Sequence, residues 1–166
     1  MDQREGWTAR RSPRLAGYDY GQVGLCFVTI CIWDREPLLG EVSDAGVQLS
    51  SAGRVVQNAW ASLPLRFPTI DLDAFVIMPD HVHGIVILGS NPELPPATPT
   101  PTLSAIIRAF KSLSGLDRNH VLGGAGRPFW HRSFYDRIIR NERELTIVRR
   151  YIADHPVQSR RTATLS

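Results

Sequence analysis

Lysine is almost absent from this chain of 166 residues: Lys111 is the only lysine, and the other 18 of its 19 basic residues are arginine. Nine of these arginines lie between Arg127 and Arg161, and the net charge is +3. Because the planar guanidinium suits phosphate contacts, the clustering favours nucleic acid as a partner. A genome rich in G and C also explains the shortage of lysine, but it explains the clustering less well.

Cysteine is scarce as well, with only Cys26 and Cys31. An odd spacing on one strand points the two side chains to opposite faces, so we expect free thiols and a reducing, cytoplasmic environment. Long apolar runs are lacking, and the first residues hold no hydrophobic signal region. We therefore expect no membrane partner.

Proline is concentrated in one place. Five of the twelve prolines fall within 89–102, and this stretch predicts an exposed linker rather than a helix or a central strand. The length of the chain suits a single domain with the linker inside it. The predicted organisation is an N-terminal arm at 1–24, a domain at 25–157 and a flexible tail at 158–166.

Runs of β-branched and aromatic residues predict strands at 25–33, 72–78 and 81–88, with a last strand within 128–140. Pro79 and Asp80 form a turn signal between the second and third strands. These two strands are therefore expected to pair as a hairpin.

Apolar residues at helical spacing predict three helices, at 51–63, at 102–115 and after Asn141. Pro64 is expected to stop the first, Gly115 to lie past the end of the second, and Pro156 to end the third. The order of elements predicts an α+β domain: an antiparallel sheet with helices packed mainly on one face. A ferredoxin-like arrangement is compatible with this order.

His81 and His83 stand out in "FVIMPDHVHGIVILG" because a strand projects both side chains from the same face. Two imidazoles held by a rigid strand can bind one divalent cation, and Asp80 is placed to orient one of them. Gly84 would leave room for a substrate backbone. Two half-exposed histidines on a solvated face are the plainer interpretation, so a metal site needs a further ligand.

The last predicted helix offers that ligand. Tyr151 and His155 are four residues apart, so both lie on one helical face at the edge of the buried surface. They are expected to reach the His81 and His83 pair. A boundary tyrosine that packs into the core, and a histidine favoured by the helix dipole, would give the same spacing.

Longer motifs carry a family resemblance: "GYDYGQVGLCFVTICIWDREPLLG", "LDAFVIMPDHVHGIVIL", "LSAIIRAFKSLSG", "WHRSFYDRIIRNEREL" and "RRYIADHPV". With these motifs in this order, the chain resembles the single-tyrosine HUH transposases, and most closely the REP-associated tyrosine transposase group. The resemblance implies a ferredoxin-like HUH nuclease domain that cleaves and rejoins single-stranded DNA through a 5′-phosphotyrosine intermediate.

The resemblance also implies roles for individual residues. His81 and His83 match the two metal ligands, Tyr151 matches the nucleophile, and the cation would be Mg²⁺ or Mn²⁺. The family often has asparagine four residues after the tyrosine, where this chain has His155, which is an able substitute as a ligand. Tyr135 is a rival nucleophile, but it belongs to the strand segment.

Hairpin or single-stranded DNA is the implied partner, and some relatives act as homodimers. Six residues are candidates for DNA contact through base stacking or phosphate binding: Tyr18, Tyr20, Arg108, Lys111, Trp130 and Arg132. Two other functions stay open. A domesticated DNA-binding protein of the same fold would have no need of Tyr151, and a small-substrate hydrolase would leave the arginine clusters unexplained.

Overall fold

The structure is a computed structural model that describes residues 24–95, 97–121 and 128–164, with side chains placed except at 116–121 and 160–164. The predicted arm, with Tyr18 and Tyr20, lies outside the described residues. Among the described helices, none is both long and apolar enough to cross a membrane.

Six strands and four helices follow one another along the described chain, with a 3-10 turn at Trp33–Arg35 after the first strand. Their bounds are β1 (Gly24–Cys31), β2 (Gly40–Ser43), β3 (Gly46–Leu49), α1 (Ser51–Ala61), α2 (Leu63–Arg66), β4 (Ile70–Met78), β5 (His81–Leu88), α3 (Leu103–Val121), β6 (Tyr135–Ile139) and α4 (Glu142–Thr164).

Four strands form the main sheet in the order β4-β5-β1-β6, and every neighbouring pair is antiparallel. This order is the one that a ferredoxin-like β-α-β-β-α-β chain produces. Strands β4 and β5 pair as the hairpin that the Pro79–Asp80 turn predicted. The predicted fold class is therefore confirmed.

The two faces of the sheet carry different helices. Helices α1 and α3 pack on one face, where the larger core includes Val28, Val82, Val56 and Phe110. Helix α4 lies on the opposite face, over a smaller cluster of Phe27, Ile85, Ile139, Val148 and Ile152. Two of the three long helices share a face, as predicted, and the third covers the other.

Gly84 faces the α1 side of the sheet, so the prediction that it leaves room for a substrate is wrong. A Cβ at this position would lie 2.5 Å from Cζ2 of Trp60 and 3.1 Å from Cδ2 of Phe75. The two rings are stacked with their centroids 4.6 Å apart. The glycine is needed because the Trp60 indole lies directly on the β5 backbone.

Two predicted helix ends are also wrong. Helix α3 continues past Gly115 to Val121, and α4 continues through Pro156 to Thr164. Within the expected flexible tail at 158–166, residues 158–164 are thus helical. The helix runs through Pro156 although proline removes one amide donor. The β2–β3 hairpin was not predicted from the sequence, because its strands have only four residues each.

We predict that Gly84→Ala lowers the free energy of unfolding by about 1–3 kcal/mol, because the added methyl group overpacks the Trp60 ring. Gly115→Ala is the control, since its Cβ would meet only Phe129, at 3.9 Å. That change should be neutral or stabilise α3 by up to about 1 kcal/mol. Urea titration of both variants measures the difference, and equal stabilities would contradict the packing argument.

Candidate metal centre

The two strand histidines point to the α4 side of the sheet. His81 and His83 are both buried, and their ring centroids are 4.7 Å apart. Their strand, β5, lies between β4 and β1 and is thus paired on both edges. A pair of imidazoles held by an internal strand has little freedom to change its spacing.

His155 reaches this pair from α4. Its Nε2 lies 3.0 Å from Nε2 of His81, and its ring centroid is 4.6 Å from that of His83. One nitrogen from each of the three side chains lies within 4.8 Å of the other two. Strand β5 and helix α4, which are distant in sequence, thus bring three imidazoles together.

His81 is oriented by the residue that precedes it. Its Nδ1 lies 2.6 Å from Oδ1 of Asp80, and because a carboxylate only accepts, Nδ1 donates the hydrogen and directs Nε2 at the cluster. Asp80 also accepts a hydrogen bond from Nε of Arg35, at 2.9 Å. Burial raises the pKa of Asp80, but the His81 hydrogen bond and the Arg35 charge outweigh it and hold the pKa below its ordinary value.

His83 is held by strand β1. Its Nδ1 lies 2.8 Å from the hydroxyl of Thr29, and its ring stacks on Phe27 with centroids 5.4 Å apart. Among the described residues, Nε2 of His83 has no hydrogen-bond partner although it is buried, and the same holds for Nδ1 of His155. A buried imidazole nitrogen without a partner is costly unless something binds it.

His83 and His155 have lone pairs available at neutral pH. Burial, together with the charges of His81, His155 and Arg35, holds the pKa of His83 well below its ordinary value. Burial, and then the charge of His81, lowers the pKa of His155 to about 4. Neutral imidazole is the form that binds a metal.

The geometry fits a cation. Two nitrogens bound at about 2.1 Å and at right angles lie about 3.0 Å apart. The Nε2 atoms of His81 and His155 are 3.0 Å apart. One nitrogen of His83 lies within 4.8 Å of the ligand atoms of the other two, so these three side chains can hold a divalent cation.

Tyr151 lies beside the histidines, one helical turn before His155. Its ring centroid is 5.4 Å from that of His83 and 5.0 Å from that of His155, and its ring meets Phe27 edge-on. The side chain is half-buried. The described chain therefore brings a phenol and three imidazoles together, as the sequence predicted.

Comparison with known proteins gives the family of the chain. None of the protein-family models matches the chain. A protein of Haemophilus influenzae that carries the description "Uncharacterized protein" is 32% identical over 163 residues, which cover 89% of this chain and 88% of that protein. This chain belongs to the same family as the Haemophilus protein.

Solved structures show which fold this family has. A REP-associated tyrosine transposase bound to a REP hairpin superimposes with a TM-score of 0.60 at 21% identity, over 89% of this chain and 74% of the other. A candidate transposase from Deinococcus radiodurans has a TM-score of 0.46 at 16% identity, over 85% and 95%. The chain has the fold of the REP-associated tyrosine transposase, so the resemblance identified from the sequence is confirmed at this level.

Tyr135, the rival nucleophile, has a different place in this transposase fold. It pairs with Thr29 across β1 and β6, so its side chain is on the histidine face but two strands away from β5. It is 47% exposed. Of the two described tyrosines, the one with ring contacts to the histidines is Tyr151.

Trp130 is placed differently from its predicted role in base stacking. Its indole is buried between Phe110 and Phe129, and its Nε1 donates to Oγ of Ser114 at 2.8 Å. A ring with both its surface and its donor used inside the protein has nothing left to offer a base. Trp130 is a core residue.

Lys111 also makes its hydrogen bonds within the protein. Its ammonium donates to the backbone oxygens of His131, at 2.7 Å, and Ser133, at 3.3 Å. These bonds fasten the loop before β6 to α3, and they favour a structural role over a DNA contact.

The remaining predicted DNA contacts differ in position. Arg108 is exposed on α3, on the sheet face away from the histidines, and Arg132 is exposed in the loop before β6. Tyr18 and Tyr20 lie outside the described residues. The DNA contacts of these four residues stay predictions.

Sequence reasoning missed two groups that build the site. Arg35 binds Asp80, and its backbone and that of Asp34 have φ values of 55° and 58°, a region that such residues seldom adopt. Arg149 donates to both carboxylate oxygens of Asp73, at 2.8 and 2.6 Å. The sequence contains no local signal for either contact, since each joins residues more than 40 positions apart.

We predict that Asp80→Asn weakens cobalt(II) binding about 10–100-fold, because an amide no longer fixes the His81 ring or raises its basicity. Isothermal titration calorimetry of protein freed of metal measures the affinity. Asp71→Asn, an exposed position on β4, is the control and should bind cobalt as the wild type does. Unchanged affinity in Asp80→Asn would remove Asp80 from the site.

Proposed function

We propose that this protein is a transposase-type endonuclease that cleaves and rejoins single-stranded DNA through a covalent bond to Tyr151. The observation that carries the proposal is the meeting of the Tyr151 ring with His81, His83 and His155 on one face of the sheet. A protein that only binds DNA would have no need of this arrangement.

The cleavage step is a transesterification in which the scissile phosphorus exchanges the 3′ oxygen of the DNA for the oxygen of Tyr151. The phenol of Tyr151 gives up its proton as its oxygen bonds to the scissile phosphorus. The bond from phosphorus to the 3′ oxygen breaks, and that oxygen takes up a proton to become a free 3′-hydroxyl. The DNA fragment downstream of the cut is then linked to Tyr151 through its 5′ phosphate. Because the link is still a phosphodiester, a 3′-hydroxyl can attack it in the reverse step, and the strand is rejoined without ATP.

A phenol with a pKa of about 10 is mostly protonated at neutral pH and needs help to attack phosphorus. His81, His83 and His155 would hold the divalent cation, Mg²⁺ or Mn²⁺ by the family resemblance. When bound, such a cation polarises the phosphate and stabilises the charge that develops on it. The half-exposed guanidinium of Arg35, beside Asp80, adds positive charge on the same side of the site.

Helix α4 supplies the positioning. It carries Tyr151 and His155 at a spacing of four residues, so the phenol and the ligand share one face of a rigid element. Their distance is set by the helix and not by a loop. This preorganisation favours attack at the phosphate that the site holds.

Single-stranded or hairpin DNA is the substrate class that we propose. Its support is the fold neighbour solved with a REP hairpin, together with the net charge of +3. Phosphate contacts by arginine would make binding weaken steeply with salt. Tyr151 and the three histidines meet within one chain, so the proposal does not require a homodimer.

The test uses a single-stranded oligonucleotide that carries a repeat hairpin from the flanks of the gene and a label at its 3′ end. With manganese or magnesium present, we expect the label to stay with the protein on a denaturing gel. Tyr151→Phe, and His81→Ala with His83→Ala, should lose the adduct to below detection, since the nucleophile or the ligands are gone.

Tyr135→Phe is the matched control, since it removes the other described phenol without touching the histidines. It should keep the adduct. Loss of the adduct in Tyr135→Phe with retention in Tyr151→Phe would reassign the nucleophile. DNA that is bound by the wild type but never cleaved would support the non-catalytic DNA-binding alternative.

A further inference from the structure

The ligand set of the metal centre consists of nitrogen. His81, His83 and His155 supply three imidazoles, and the cluster includes no carboxylate among the described residues. Asp80 is an acidic residue that directly precedes His81. Its Oδ1 accepts a hydrogen bond from His81, and its Oδ2 accepts one from Arg35. The carboxylate thus orients a ligand and is not itself one.

This composition has a chemical consequence. Mg²⁺ is a hard cation that prefers oxygen ligands and gives up its waters reluctantly. Imidazole suits the borderline ions of the first transition series, whose affinities for nitrogen rise from Mn²⁺ towards Cu²⁺. Three imidazoles also bring no negative charge, which a hard cation would need most.

The burial of the histidines also favours a transition metal over Mg²⁺. Nε2 of His83 is buried and has no hydrogen-bond partner among the described residues. An ion that forms a strong bond to nitrogen satisfies such an atom directly. A hydrated magnesium ion would contact it only through water and would need space for that shell.

We propose that the centre selects a first-row divalent transition metal and discriminates against magnesium, and that His155 is the residue that sets this preference. The inference rests on the proposed function only in taking this centre as the one that serves cleavage. It narrows the expectation of Mg²⁺ or Mn²⁺ that came from the family resemblance, because His155 stands where the family often has asparagine.

The experiment uses the full chain, freed of metal by a chelator and titrated with cobalt(II), whose visible absorption reports the ligands directly. We expect one equivalent to bind with bands typical of nitrogen ligands, and zinc to displace it. Magnesium should fail to displace cobalt even at about 100-fold excess, because the nitrogen set favours the transition metals by at least that factor.

Two variants separate the role of His155 from a general effect of losing a histidine. His155→Asn replaces an imidazole by an amide oxygen donor. It should weaken cobalt binding at least about tenfold while magnesium binding changes less, so the preference shrinks. His131→Asn is the control, because His131 stacks on Trp33 and bonds to Ser133, away from the cluster.

Failure of this inference differs from failure of the proposed function. Magnesium that displaces cobalt at a similar concentration, or an unchanged cobalt-to-magnesium ratio in His155→Asn, would overturn the inference while the DNA adduct could still form. Selective cobalt binding that persists in Tyr151→Phe supports the inference even if no DNA is cleaved. A thermal melt of each variant confirms that the histidine face is folded.

Discussion

Helix α4 is held against the sheet by a small apolar contact, in which Val148 and Ile152 pack on Phe27 and Ile85. Each buried side chain of this size contributes about 1.5–3 kcal/mol. The contact decides where His155 and Tyr151 lie, because both residues belong to the same helix. Without it, β5 would present the imidazoles of His81 and His83 with no third imidazole and no phenol beside them.

A bulge in β4 directs a second contact to the same helix. The register shifts between Leu72 and Phe75, so that Asp73 and Ala74 together face Ile85. Ala74 joins the cluster under α4, and the carboxylate of Asp73 meets Arg149 on that helix. A surface ion pair adds little stability, but its two hydrogen bonds restrict how the helix can rotate on the sheet.

The sequence predicts the position of a side chain where the periodicity of one strand or helix decides it. It does not predict the position where packing between residues distant in sequence decides it. Alternation on β5 placed His81 and His83 together, and the spacing of four placed Tyr151 with His155. Periodicity could not predict the burial of Trp130, since this depends on contacts with Ser114 and Phe110 of α3 and with Phe129 of its own loop. Gly84 shows the same limit. A glycine is needed on β5 because the Trp60 ring of helix α1 fills the space that a side chain would occupy.

Rigid coupling within α4 links Tyr151 and His155 in one further way. The two residues are separated by about one turn, close to 6 Å along the axis, so any shift of the helix moves both. Pro156, which follows His155, has no amide hydrogen for the carbonyl of Ile152, and the helix therefore lacks one hydrogen bond beside His155. The packing of Ile152 against Phe27 and Ile85 must hold this turn in place. The apolar contact under α4 consequently sets both the position of the His155 imidazole and the position of the phenol.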